Sequence, residues 1–138
     1  MSWLLDTDSC SFAIRGQHGL RQALEARPLE RLYVSAVTVG EAWAGALRTA
    51  HRDALVALWS VFLEPFAGRV LPFDETAARE YGAIRADLEA AGNMIGDRDC
   101  MIAAIARARR LKLVTRNQRD FGRVAGLRVA DWSKTRGT

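Results

Sequence analysis

Apolar and polar positions along this chain follow two alternating rhythms. Short apolar runs of strand length stand at Trp3-Leu4-Leu5, Leu32-Tyr33-Val34-Ser35, and residues 69–73, 111–115 and 127–130. Between them lie longer stretches whose apolar residues recur three and four positions apart, the spacing of one helix face. Asp6 halts the first run. Ser35 or Thr38 stands where a side chain caps a helix expected over about 39–49. A second helix is expected over 52–66, with Leu55, Leu58, Trp59 and Phe62 at helical spacing, and Gly68 stops it. Asp74 is placed to cap a long helix reaching about residue 90, with Ala77, Tyr81, Ile84 and Leu88 as its apolar stripe and Gly92 at its end. Residues 99–109 are apolar almost all round, as in a helix packed between layers.

Strands alternating with helices predict a parallel sheet covered on both faces. Such sheets bind ligands beyond the carboxyl ends of their strands, at the point where strand order reverses. Asp6 and Thr115 both stand at those ends. No repeat, low-complexity tract or Pro/Gly-rich linker interrupts the chain, and 138 residues suit one core, so one domain over 1–138 is expected.

Composition narrows the setting more than the chemistry. Hydrophobic residues make up 49% and charged residues 26%, which suits a globular chain. No apolar stretch reaches the ~18 residues of a membrane span. The opening Met-Ser-Trp-Leu-Leu-Asp meets an acid at once and is not expected to be a secretion signal. Cys10 and Cys100 are too few for a disulfide framework, so reduced thiols and a cytoplasmic location are expected. Net charge is +4, and of twenty basic residues only Lys112 and Lys134 are lysines. Arginine suits bidentate phosphate contacts, although the same bias follows from genome composition, so charge by itself does not identify a partner.

The acids carry more. Asp6-Thr7-Asp8 follows the first strand, where a rigidly held carboxylate suits a hard cation; either acid could instead cap the next helix, a role that fits Asp8 equally well, whereas the place of Asp6 against the strand end favours the site. Glu41 stands in the first turns of its helix among Val37, Val39, Ala42 and Trp43, a setting with little polar face around it. Asp99 opens the apolar helix, and a charge entering a buried helix needs a partner or a metal. Asp97 lies about 200° from it around a helix and therefore faces elsewhere. Thr115, Asn117 and Asp120 offer oxygens after the fourth strand, while Arg116 and Arg119 stand ready to steady phosphate; an ordinary capped turn accounts for them as well.

Taken together, Leu4-Leu5-Asp6-Thr7-Asp8, Ser35 to Glu41, Ile95-Gly96 with Asp99-Cys-Met-Ile102-Ala-Ala104, and Leu113 to Phe121 with Gly126-Leu-Arg-Val and Trp132 resemble the four motifs of the PIN-domain ribonucleases. They are most similar to the VapC-type toxins of bacterial toxin–antitoxin pairs. The resemblance implies a three-layer α/β/α domain with a central parallel sheet of four to five strands. It implies that Asp6, Glu41 and Asp99 hold Mg²⁺ or Mn²⁺ for cleavage of RNA. Asn117 and Asp120 join them as catalytic candidates, and Thr7, Asp8, Thr115, Arg116 and Arg119 as substrate contacts. Many family members carry an acid where this chain has Asn117, which leaves Asn117 and Asp120 as alternatives for the fourth oxygen. A small antitoxin and a homodimer are the implied partners.

Two other readings compete. Asp6-Thr-Asp8 with Gly96-Asp97-Arg-Asp99 resembles the acidic motifs of haloacid-dehalogenase-like phosphatases, which expect a strand before the late acids and a lysine that Lys112 supplies poorly. A non-catalytic RNA- or protein-binding module is the other, and three intact acids argue against it. Trp43, Trp59, Phe62 and Phe66 offer a base-stacking surface in principle; their helical spacing favours core or dimer packing.

Overall fold

The structure, a computed structural model, describes residues 1–134; the expected domain runs to residue 138, and 135–138 lie outside the described residues. Five strands, Trp3–Leu5 (β1), Leu32–Ser35 (β2), Val70–Leu71 (β3), Lys112–Val114 (β4) and Val129–Ala130 (β5), pair in parallel in the order β3-β2-β1-β4-β5. The chain builds outward from β1 through β2 to β3, then crosses to the opposite side for β4 and β5. Order therefore reverses between β1 and β4, the two strands that end in Asp6 and Thr115.

Seven helices cover the sheet: Thr7–Arg15 (α1), Leu20–Glu25 (α2), Ala36–Leu47 (α3), Arg52–Leu63 (α4), Glu75–Ala91 (α5), Asp97–Arg109 (α6) and Gln118–Phe121 (α7). Successive strand residues point to opposite faces. Leu4 and Leu113 join α5 and α6 in one core, whereas Leu5 and Val114 join α1, α2, Phe66 and Trp132 in the other. These two cores on one five-stranded parallel sheet are the expected three layers.

Local chemistry sets the boundaries. The Ser35 hydroxyl accepts from the Thr38 N–H at 3.1 Å, so α3 starts at Ala36, three residues earlier than the apolar rhythm suggests. The α-helix expected over 52–66 closes at Leu63, because Pro65 lacks an N–H, and a 3₁₀ turn over Glu64–Phe66 completes it. The third strand, at the sheet edge, shrinks from 69–73 to two residues, since only Val70 and Leu71 pair with β2, at Val34 and Ser35. Strands four and five are likewise shorter than their apolar runs. Asp74 caps α5 as expected, and Gly92 closes it at φ 69°, a left-handed turn that favours glycine. The apolar helix begins at Asp97 rather than Asp99, so both acids lie in its first turn. The short α2 was not foreseen, having too few turns to show a period.

The aromatic series on α4 packs. Trp59 and Phe62 meet edge to face at 5.9 Å, Phe62 and Phe66 lie 5.5 Å apart, and Phe66 is buried. No helix among the described residues is long and apolar enough to cross a membrane.

Candidate metal-binding site

Five carboxylates, from the end of β1 and from α1, α3, α6 and α7, face one another beyond the carboxyl ends of β1 and β4. Asp6 is the most enclosed, at 5% exposure. Its N–H donates to the Val114 carbonyl at 3.1 Å, which ties it to β4. Its Oδ1 accepts from the Ser9 N–H at 2.8 Å, so Asp6 caps α1 from within the cluster, and capping and the site use the same carboxylate. Burial pushes its carboxyl above the ordinary range, against the pull of hydrogen bonds from Thr115 and Ser9. Thr115 is itself fully buried, and its Oγ1 accepts from the Asn117 N–H at 2.9 Å.

Glu41 enters from α3 with both oxygens engaged. Oε1 accepts from the Thr7 hydroxyl at 2.5 Å, and Thr7 also contacts the Thr38 hydroxyl at 2.9 Å. Oε2 accepts from Nε of Arg98 at 2.9 Å. Asp99, the third residue of α6, is half-buried among the other acids. Its carboxyl is raised from 3.8 to about 6, first by burial and then by the charges of Asp6, Glu41, Asp8 and Asp120. Asp8 is exposed in the first turn of α1. Asp97, by contrast, turns toward α5, where Arg85 and the Tyr81 hydroxyl hold it.

Asn117 and Asp120 act as a unit. The Asn117 Oδ1 accepts from the Asp120 N–H at 3.2 Å, and its Nδ2 donates to Asp120 Oδ2 at 3.1 Å. The amide thus caps α7 and aims the Asp120 carboxylate. Arg119 and Arg123 approach Asp120 at 3.6 and 3.8 Å. Arg116 is folded away from the acids: its Nε donates to the Ser133 hydroxyl at 3.3 Å, and its guanidinium lies 5.3 Å from the Phe12 ring centre. Both thiols are free and buried; burial raises that of Cys10 well above its usual range, with the Asp6 charge adding to it.

Among the described residues, no three acidic, histidine or cysteine side chains stand in a ready-made ligating arrangement. The donors themselves suit a hard divalent ion: they are carboxylate oxygens, partly desolvated, and burial first and their mutual repulsion second lift Asp99. An ion that Glu41 joins competes with Arg98 for the charge on Oε2. Neither Arg98 nor Thr38 stood out as a site residue in the sequence, since each finds its partner across the fold; Arg98 meets Glu41 over 57 residues.

A second feature lies on the other side of the sheet. An apolar groove of about 490 Å³ runs between α1–α2 and α4, walled by Ile14, Leu24, Leu29, Leu58, Val61 and Phe62.

Comparison with known proteins places this architecture. The PIN domain family model matches residues 3–127. The chain is 36% identical over 135 residues to the tRNA(fMet)-specific endonuclease VapC of Shigella flexneri, covering 96% of this chain and 99% of that one. It is 37% identical over 124 residues to the toxin FitB of Neisseria gonorrhoeae, covering 86% and 89%. Its fold superposes on DNA-bound VapBC from Salmonella typhimurium with a TM-score of 0.88 at 33% identity, over 96% of this chain and 98% of that one. In keeping with this, helix α5 rather than a strand immediately precedes the late acids and Lys112 lies within β4, so the phosphatase arrangement is absent among the described residues. The chain belongs to the PIN-domain family, among its VapC ribonucleases.

Proposed function

We propose that this chain is a Mg²⁺- or Mn²⁺-dependent endoribonuclease, the toxin of a toxin–antitoxin pair. The observation that carries the reading is the convergence of Asp6, Glu41, Asp99 and Asp120, with Asp8, beyond the carboxyl ends of β1 and β4, a crowding that together with burial raises the Asp99 carboxyl. Asp6, Glu41 and Asp99 are the residues that would hold the ion. When bound, such an ion lowers the pKa of water and offsets the charge that builds on a phosphodiester under attack. The chain's own contribution is orientation: Ser9 and Thr115 fix Asp6, Thr7 and Thr38 fix Glu41, and Asn117 fixes Asp120. Asp120 then supplies the fourth carboxylate, with Asn117 as its positioning residue.

The apolar groove beside α4 is the proposed seat of an antitoxin segment, because exposed apolar surface of this kind marks interfaces. The reading extends to a homodimer, which light scattering at high concentration checks. The activity is tested by incubating Asp6→Asn, Glu41→Gln and Asp99→Asn variants with tRNA, the RNA class named for two relatives, in Mg²⁺ and in Mn²⁺. Each variant should retain its circular dichroism and lose cleavage. Cleavage near the wild-type rate in one of them removes that residue from the site, and a wild-type protein inert in both ions overturns the reading.

A further inference from the structure

Next to the acids, on the Glu41 side, a cavity of about 340 Å³ is lined by Val37, Gly40, Glu41, Ala44, Arg48, Arg98 and Met101. Its composition differs from that of the acid cluster. Two guanidinium groups, one from the end of α3 and one from the first turn of α6, share it with an apolar wall of Val37, Ala44 and Met101. Arg48 is exposed, and its side chain makes no hydrogen bond or ion pair among the described residues. Arg98 holds Glu41 Oε2, yet its side chain is 72% exposed, so solvent screens the pair and little energy keeps it closed. The same arginine also lines the recess formed by Glu41, Gly96, Asp97 and Asp99, and so bridges the cavity and the acids.

We propose that this cavity is the subsite for the nucleotide beside the scissile phosphate. Arg48 is its standing phosphate contact, and Arg98 is a second contact that becomes available when a divalent ion takes Glu41. The proposal rests on the metal-dependent ribonuclease reading above. Two cations compete for one carboxylate: Arg98 on Glu41 Oε2 offsets the charge that draws a divalent ion, and an ion that takes that oxygen loosens Arg98 beside a polyanion. The apolar wall suits a ribose or base, which a site for free inorganic phosphate would not need. By linkage, the ion and the RNA each favour the state the other requires.

The test uses the intact chain, a fluorescent phosphorothioate oligoribonucleotide that resists hydrolysis, and Mn²⁺ binding followed by electron paramagnetic resonance. Arg48→Gln should weaken RNA binding roughly five- to tenfold with or without Mn²⁺. The slope of log affinity against log salt should fall by about 0.7, as for one lost phosphate contact on a single strand. Arg98→Gln should weaken RNA binding only when Mn²⁺ is present, and without RNA it should bind Mn²⁺ roughly two- to fivefold more tightly, because Glu41 is no longer occupied. A wild-type protein that binds neither Mn²⁺ nor RNA overturns the ribonuclease reading and this one with it. If wild type binds both but Arg48→Gln keeps full RNA affinity, or Arg98→Gln leaves Mn²⁺ affinity unchanged or lower, the subsite is overturned and the ribonuclease reading stands.

Discussion

Replacing Asp99 by asparagine should remove cleavage and at the same time make the metal-free protein more stable. The folded chain keeps the Asp99 proton up to about pH 6, against 3.8 for the same carboxyl without its neighbours. Between those values the folded state binds more protons than the unfolded one, so stability falls as pH rises through the window and the full penalty is present above it. At 1.36 kcal/mol per pH unit, that separation corresponds to at most roughly 3 kcal/mol. Asp99 is half-buried rather than enclosed, and solvent screening reduces this to about 1.5 kcal/mol. A neutral side chain also forgoes roughly 0.5 kcal/mol of interaction with the N-terminal end of the α6 dipole. The expected net gain for Asp99→Asn is about 1 kcal/mol at pH 7.5, or about 3–4 °C in Tm for a chain of this size. At pH 4, where the carboxyl is protonated in the folded wild type, the difference should vanish. Urea denaturation in EDTA at pH 4, 6 and 7.5 measures it. Saturating Mn²⁺ should reverse the order, since an ion at a hundred times its Kd adds roughly 2.7 kcal/mol to the protein that binds it. A variant less stable than wild type at pH 7.5 in EDTA, or a difference that does not change with pH, would refute the electrostatic account of the cluster.

Three other outcomes follow from the same geometry. Asp97→Asn should leave metal-dependent cleavage within a few-fold of wild type, because its carboxylate pairs with Arg85 and Tyr81 on α5; loss of activity with retained fold would show that the wrong acid of α6 was chosen. Cys10 and Cys100 should resist a thiol reagent in the native protein and react together only on unfolding, both being fully buried; rapid native labelling, or activity that responds reversibly to thiol reagents, would count against their packing role. Val61→Asp should abolish co-purification with a co-expressed antitoxin while sparing Tm, since Val61 is 71% exposed on the groove wall; an undisturbed complex would place the antitoxin elsewhere.

How far the fold was legible depended on how local its causes are. Asp74 and Gly92 bracket α5 as the chain reads, because a cap and a left-handed stop act within one turn. The parallel sheet, and the placing of Asp6 and Thr115 at the carboxyl ends of its strands, followed from strand–helix alternation; the order of the strands, which brings β1 beside β4, did not. What escaped was non-local. Arg98 looks like a solvated helix residue until α3 brings Glu41 to it. Arg116 reads as a phosphate contact after a strand, and the chain's far end claims it through Ser133. The boundaries at Ala36 and Asp97 shifted for a simpler reason: hydrophobic periodicity begins only after the first turn, where capping chemistry rather than burial decides the conformation.

The pairing of β1 with β4 also governs when a nascent chain acquires a site at all. Trp3, among the first residues made, pairs with Lys112, and the Asp6 N–H waits for the carbonyl of Val114. Until β4 leaves the ribosome, one side of the central strand has no partner, and Thr115, Asn117 and Asp120 do not yet exist to complete the acidic cluster. A chain stalled or cut before residue 112 carries Asp6, Glu41 and Asp99 without the strand that fixes the first of them. Topology thus ties competence to the synthesis of β4, so that a product of translation lacking it is an unfinished sheet rather than a smaller working copy.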